Sequence, residues 1–110
     1  MKQVADIAEL STKLQKRNWM NDSLTEICNS VNQLSSVDEI KSFFKEILSE
    51  KELEDVQLRW ELMKKLKDGE PQRNIAKELH VSLCKITRGA KILKQPEGII
   101  NKILSAEQNK

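Results

Sequence analysis

The stretch "QRNIAKELHVSLCKITRG", residues 72–89, contains two short apolar runs at helical spacing with a turn between them. Ile75, Ala76 and Leu79 fall on one face of the first predicted helix. Because Ala76 is small, a second helix can cross the first at close range. The spacing therefore predicts two short helices packed against each other.

The turn and the second helix follow the same pattern. Val81 is predicted to be buried in the turn, and Ser82 is a suitable N-cap for the second helix. The core-facing residues of that helix are predicted to be Leu83 and Ile86. His80 occupies a position that often requires a left-handed backbone, which a non-glycine residue adopts at some cost. This spacing is that of a DNA-binding helix-turn-helix, predicted here over residues 71–93; an ordinary corner between two helices is the alternative.

The polar residues of the stretch favour the helix-turn-helix. Gln72 and Arg73, at the start of the first helix, can reach phosphates. Residues that point outward from the second helix can supply phosphate anchoring and base-edge contacts. The outward-pointing residues are predicted to be Cys84, Lys85, Thr87 and Arg88.

The net charge of +2 is unevenly distributed. Residues 72–102 carry seven basic and two acidic side chains, whereas residues 37–70 carry ten acidic and seven basic ones. A basic C-terminal third suggests a surface for a polyanion such as double-stranded DNA. A solvated, lysine-rich helix surface is the alternative interpretation of the charge alone.

The composition bounds the class of protein. With 110 residues, 3 Gly, 2 Pro and no Tyr, the chain is predicted to be a single all-α domain. It lacks an apolar run long enough to cross a membrane and an evident signal sequence, and its two cysteines form no disulfide framework. We therefore predict a cytoplasmic protein without a membrane partner. The sequence contains no catalytic constellation or metal-ligand spacing, so neither an enzyme nor a metal site is predicted.

Helix boundaries can be predicted from breaks and caps. "RNWMNDS" (17–23) is interpreted as a break, with Asp22 or Ser23 capping the next helix. Ser36 with Glu39 forms a predicted capping box. The predicted architecture is six to seven short helices around one long helix.

The long helix is predicted to begin after a second capping box, Ser49 with Glu52, and to run to about Asp68. The acids of its first turns are interpreted as solvated residues that favour the helix dipole. Gly69 is suited to terminate it, and Pro71 fits the first turn of the next helix. It carries two apolar rows instead of one, which predicts burial from both sides, either centrally or between subunits. The rows are Leu53, Val56, Trp60 and Met63, and Leu58, Leu62 and Leu66; the solvated acids are Glu50, Glu52, Glu54 and Asp55.

Gly89 interrupts a pattern that continues as a helix, at a cost of about 1 kcal/mol relative to alanine. One explanation is close approach by a neighbour that leaves no room for a side chain. The alternative is a plain helix end with a change of register.

At these residues the sequence resembles the bacterial tryptophan repressor family. The resemblance covers residues of about 24–104 and is carried by "LSEKELEDVQLRW" (48–60), "GEPQRNIAKEL" (69–79) and "ITRGAKILK" (86–94). It implies an intertwined, all-helical homodimer that binds operator DNA when L-tryptophan, the corepressor, occupies a pocket beside the second helix of the motif.

The resemblance also implies roles for individual residues. Arg59 and Arg88 would lie on either side of the indole ring, and Gly89 would make space for it. The chain differs from the family pattern at Ile92, where a small polar residue is common, and at Lys85, where threonine is common. The implied tryptophan-binding residues are Arg59, Arg88, Gly89, Ile47, Leu48, Ser49 and Ile92. The implied DNA-binding residues are Gln72, Arg73, Ser82, Leu83, Cys84, Lys85, Thr87, Arg88 and Lys94.

The sequence thus predicts a transcriptional repressor whose operator affinity is raised by L-tryptophan and which regulates genes of tryptophan biosynthesis or uptake. A ligand-independent helix-turn-helix regulator or transposase-type DNA-binding module is one alternative, and a helical protein-interaction adaptor is another. Residues 1–21 are predicted to be an N-terminal extension or arm, partly helical. Residues 22–106 are predicted to form the dimerisation and DNA-binding domain, and residues 107–110 a frayed tail.

Overall fold

The computed structural model describes residues 18–108, and this part of the chain contains six helices and no strand. The prediction of an all-α fold is confirmed. Residues 1–17 of the predicted N-terminal arm lie outside the described residues. The helices are α1 over the described residues 18–32, α2 Val37–Ile47, α3 Glu50–Lys67, α4 Gln72–Leu79, α5 Leu83–Leu93 and α6 Ile99–Gln108.

Backbone contacts divide the chain into two compact units. The first unit ends at Ile47, and its described part consists of α1 and α2. The second unit begins at Leu48 and contains α3 to α6.

The prediction of a break at residues 17–23 is wrong for the described residues of that stretch, because they belong to helix α1. The described residues 18–23 are helical and continue without interruption to residue 32, so neither Asp22 nor Ser23 caps a new helix. The physical reason is that this stretch contains no glycine or proline, and asparagine, aspartate and serine are only mildly unfavourable inside a helix. Met20 also continues the apolar spacing of Leu24 by one turn.

Helix α2 begins after Ser36, as predicted. The backbone amide of Glu39 donates to Ser36 Oγ at 3.2 Å. The carboxylate of Glu39 accepts from the Ser35 hydroxyl at 2.7 Å, from the Ser35 amide at 3.3 Å and from the Ser36 hydroxyl at 3.3 Å. Hydrogen bonds from Ser35 are the main cause of a lowered pKa of Glu39.

Helix α3 has the complete capping box predicted at its start. The amide of Glu52 donates to Ser49 Oγ at 3.1 Å, and the amide of Ser49 donates to Glu52 Oε1 at 2.9 Å. Gly69 follows the helix with a φ of 87°, a left-handed conformation that favours glycine, so the predicted termination is confirmed. Pro71 is the N-cap of α4 and not a residue of its first turn, because its backbone is extended, with φ −62° and ψ 140°.

The core of the second unit lies between its four helices. Helix α3 packs against α4, α5 and α6, and α5 also contacts α4 and α6. This central position of α3 agrees with its two apolar rows, each of which contributes one buried residue, Met63 and Leu62. The Lys67 ammonium also donates to Asn101 Oδ1 at 2.6 Å and so links α3 to α6. The buried core residues are Leu62, Met63, Ile75, Ile86 and Leu104.

Candidate nucleic-acid interface and adjoining cleft

The α4–turn–α5 segment has the backbone of a tight helix-turn-helix. His80 ends α4 with φ 54° and ψ 45°, the left-handed conformation predicted for this position. The amide of Val81 donates to the carbonyl of Ala76 at 3.2 Å, which closes the turn. Ser82 then caps α5, and its hydroxyl oxygen accepts from the amide of Lys85 at 3.3 Å.

Two isoleucines fix the motif to the core. Ile75 of α4 and Ile86 of α5 both have 0% of their surface exposed. Leu83, in contrast, is 52% exposed, so the prediction that it faces the core is wrong. Leu83 is the first residue of α5, and side chains of a helix point toward its N-terminus, so Leu83 projects beyond the start of the helix.

The outward surface of α4 and α5 is basic and unneutralised. Six lysine and arginine side chains, five on α4 and α5 and one on the C-cap residue of α5, belong to exposed residues, and none forms a salt bridge with another described residue. The one acid of these two helices, Glu78, is already paired with Lys65 of α3 at 2.7 Å. The motif therefore offers positive charge without an internal counterion. The six are Arg73, Lys77, Lys85, Arg88, Lys91 and Lys94.

Lys65 connects α3 to the motif. Its ammonium lies 2.7 Å from Glu78 and 3.4 Å from Glu70, and the hydrogen bond to Glu78 is the main cause of the raised pKa of Lys65. These contacts orient α4 on α3, because they join the last turn of α3 to the last turn of α4 and to Glu70 in the connection between the two helices.

The remaining DNA-binding residues predicted from the sequence are also exposed. Gln72 and Cys84 belong to this exposed surface, with Cys84 a free thiol. Thr87 is exposed as well, and its hydroxyl donates to the carbonyl of Leu83 at 2.9 Å. That bond fixes the orientation of the Thr87 side chain along the helix.

A cleft of about 150 Å³ lies beside the motif, between α3 and α5. It brings together Arg59 of α3 and Arg88 of α5, the two arginines assigned to a common ligand site by the resemblance. Lys85 lines the same cleft. Its other lining residues are Asp55, Leu58 and Leu62.

Asp55 is a cleft residue that the sequence analysis missed. Its assignment to a solvated first turn is wrong, since Asp55 is half-buried and lies beyond the first turn of α3. The available signal was its spacing: Asp55 and Arg59 are four residues apart, as are Leu58 and Leu62, so all four share one side of the helix.

Gly89 lies inside α5 and is buried against α3. A Cβ placed at Gly89 would lie 2.5 Å from Leu62 Cδ1 and 3.4 Å from Met63 Cγ. The neighbour that leaves no room for a side chain is therefore α3 itself. The alternative of a helix end at Gly89 is wrong, because α5 continues to Leu93.

The other residues implied in ligand binding do not line this cleft within the chain. Ile92 is half-buried and packs against the core cluster. Leu48 is half-buried, and Ser49 serves as the N-cap of α3. Ile47, the last residue of the first unit, is 51% exposed. Their assignment to a tryptophan site stays a prediction.

The described residues, 18–108, contain neither a candidate metal site nor a candidate membrane span. No group of three or more histidine, cysteine, aspartate or glutamate side chains there could hold a metal ion. None of the helices in this part of the chain is both long enough and apolar enough to cross a membrane.

Comparison with known proteins identifies a family to which this chain is similar. No curated protein and no solved structure matches the chain. Residues 22–108 match the family model described as Trp repressor protein, which represents a regulatory DNA-binding family. The match spans the helix-turn-helix, the basic surface and the cleft, and it covers most of the sequence; the chain belongs to the Trp repressor family.

Proposed function

We propose that this protein is a cytoplasmic transcriptional repressor that binds operator DNA as a homodimer and binds it more tightly when L-tryptophan is present. Genes of tryptophan biosynthesis or uptake are its proposed targets. The observation that carries the DNA-binding part is the set of six exposed lysine and arginine side chains on α4, α5 and the C-cap Lys94, none of which forms a salt bridge with another described residue. Release of counterions from DNA phosphates makes such a surface favourable for binding.

Base contacts are proposed for the start of α5. In a helix-turn-helix, the N-terminal residues of the second helix reach base edges in the major groove. Leu83, with 52% of its surface exposed, can contact a thymine methyl group, and Lys85 can donate to guanine. Arg73 and Lys94 lie outside that segment and are proposed phosphate contacts.

Dimerisation is supported by the described part of the first unit. Leu24, Val37 and Phe44 are 61%, 71% and 41% exposed. Each belongs to an apolar stripe at helical spacing, Leu24 with Ile27 and Val31 on α1, and Val37 and Phe44 with Ile40 on α2. A second copy of the chain would cover such residues. It would also place two motifs on successive major grooves, about 34–36 Å apart.

Tryptophan binding is supported by the cleft. Arg59 and Arg88 are guanidinium groups that can stack on an aromatic ring, and Leu58 and Leu62 provide an apolar wall. A cavity of about 150 Å³ is large enough for one aromatic ring. Because Arg88 belongs to α5, a ligand held there would restrict the orientation of the helix that carries the proposed base contacts.

The test is a DNA-binding titration on tryptophan-biosynthesis promoters and on the gene's own upstream region, with and without L-tryptophan. Fluorescence anisotropy at several salt concentrations is a suitable readout. We expect specific binding that L-tryptophan strengthens. Equal affinity in both conditions would refute the corepressor role and favour a ligand-independent regulator; no binding at moderate salt would favour a protein-interaction adaptor.

Variants that remove one positive charge distinguish a DNA contact at a particular residue from the effect of the net charge of the protein. Lys94→Ala should weaken DNA binding and reduce the salt slope by about one. Lys51→Ala, an equally charged change at an exposed residue of α3, is the matched control and should leave the slope unchanged. Equal effects of the two variants would contradict a DNA surface centred on α4 and α5.

A further inference from the structure

We propose that the cleft between α3 and α5 binds aromatic ligands with two negative charges more tightly than it binds zwitterionic L-tryptophan. This inference rests on the proposed function only in taking the cleft as the ligand site. It follows from the charges that line the cleft and from the depth of its apolar wall.

The cleft contains more positive than negative charge. Arg59, Lys85 and Arg88 are basic, and Asp55 is the one acidic lining residue. None of these four side chains forms a salt bridge or a side-chain hydrogen bond with another residue of the described range 18–108. Two positive charges of the lining therefore have no counterion there, and a ligand of charge −2 would balance them.

The apolar side of the cleft selects for a ring. Leu62 is 2% exposed and Leu58 is half-buried, whereas Arg59 and Arg88 are exposed residues. The apolar wall thus lies deeper than the guanidinium groups. A ligand with a flat apolar body and anionic substituents at one end matches this arrangement, because the ring can lie on the leucines while the anions reach the cations.

A zwitterionic amino acid matches the same lining less well. Within the lining that this chain supplies, its carboxylate would pair with the cations, but its ammonium would face three like charges, and Asp55 is the one lining side chain that carries a compensating charge. Lys85 is decisive in this comparison, since it adds a third cation with three hydrogen-bond donors. If a second anionic group replaces the ammonium, the repulsion between the ligand and the three basic side chains becomes an attraction.

The test is calorimetry on the full chain without DNA, at about pH 7.5, where a phosphate monoester is mostly dianionic. The probes are 3-indoxyl phosphate, indole-3-propionate and L-tryptophan, which share the indole ring and differ in charge. We expect 3-indoxyl phosphate to bind about tenfold more tightly than L-tryptophan, the effect of one added charge-assisted hydrogen bond, with indole-3-propionate between them. Inorganic phosphate should bind at least about tenfold more weakly than 3-indoxyl phosphate, because it lacks the ring.

Lys85→Gln tests the residue that decides the preference. It should lower the affinity for 3-indoxyl phosphate about tenfold and change that for L-tryptophan by less than about twofold. Lys91→Gln is the matched control, since Lys91 is exposed on the same helix and does not line the cleft. Both affinities should be unchanged in that variant.

The outcomes separate this inference from the proposed function. L-tryptophan binding as tightly as 3-indoxyl phosphate, or no binding of any probe, would overturn the dianion preference. So would equal losses for both ligands in Lys85→Gln. A preference for 3-indoxyl phosphate with DNA binding that ignores L-tryptophan would instead support this inference and refute the proposed corepressor.

Discussion

The two compact units of the chain use equally regular apolar patterns with different results. In the second unit the patterns meet in a core, where Ile75 and Ile86 are fully buried. In the described part of the first unit, residues 18–47, no residue is buried, and Leu24 remains 61% exposed.

The difference shows that the periodicity of apolar residues identifies the apolar face of a helix but not the element that packs against that face. Helix α3 carries two apolar rows and contacts α4, α5 and α6, so the apolar residues of α3 pack against other helices of the same unit. In the described part of the first unit, only α1 and α2 are available. The comparison predicts that substitutions in the second unit change folding, whereas those on the exposed stripe of the first unit change assembly.

The largest effect is expected for Ile75→Ala. This change leaves a cavity at a fully buried position, so the free energy of unfolding should fall by about 2–5 kcal/mol, measured by urea denaturation. Ile99→Ala is the control, because Ile99 is 68% exposed, and it should cost less than about 0.5 kcal/mol. Similar losses for both variants would contradict the assignment of the core.

Gly89→Ala is expected to have the next largest effect. A methyl group there would overlap Leu62 Cδ1, so the variant should lose about 1–3 kcal/mol although alanine is the better helix former. The loss should be smaller in a Leu62→Ala background, because the group that clashes is then absent. Strictly additive losses in this double-mutant cycle would show that the close approach of α5 to α3 does not explain the glycine.

For the first unit, Leu24→Lys should impair assembly. A lysine on this exposed apolar stripe would be buried without a partner in the proposed homodimer, so the dimer dissociation constant should rise at least about tenfold. Sedimentation at micromolar concentration provides the measurement. Asn29→Lys makes the same charge change on the opposite side of α1 and should leave the dimer intact. A wild-type protein that sediments as a monomer would exclude the dimer outright.

The sequence predicts some features of this structure, such as helix caps, better than others, such as breaks between helices. Local signals were sufficient for the caps at Ser36 and Ser49, the left-handed His80 and the end of α3 at Gly69, because each depends on residues close in sequence. The break predicted at residues 17–23 failed because polar residues permit a helix to continue as well as to end.

Prediction of the cleft requires knowledge of how α3 and α5 pack, which the sequence of one helix cannot provide. Arg59 and Arg88 were placed together by resemblance, and their 29-residue separation gives no local signal. Asp55 was missed because an acid near a helix start is usually solvated, and only the packing of α5 on α3 makes its position part of a cleft. The prediction that Leu83 faces the core is wrong because apolar spacing does not show how far along α5 the neighbouring helices extend.

The smallest effect concerns a feature that both units share, a glutamate that accepts a hydrogen bond from a serine before its helix. The pKa of Glu52 is lowered, first by the hydrogen bond from the Ser49 amide, and that of Glu39 is lowered by hydrogen bonds from Ser35. A carboxylate with a lowered pKa in the folded state stabilises it above the pKa of the unfolded chain, and this contribution disappears as the pH falls through the folded-state pKa.

Glu52→Gln should therefore be less stable than the wild type at neutral pH, and the difference should begin to shrink below about pH 4.3 and vanish only below the lowered pKa of Glu52 in the folded state. Urea denaturation across that pH range measures this, and a difference independent of pH would show that the charge of Glu52 is irrelevant. Glu39→Gln has the same chemistry but begins a helix that has no buried residue. Its pH-dependent loss should therefore appear in the helix content of the first unit and leave the unfolding of the second-unit core unchanged.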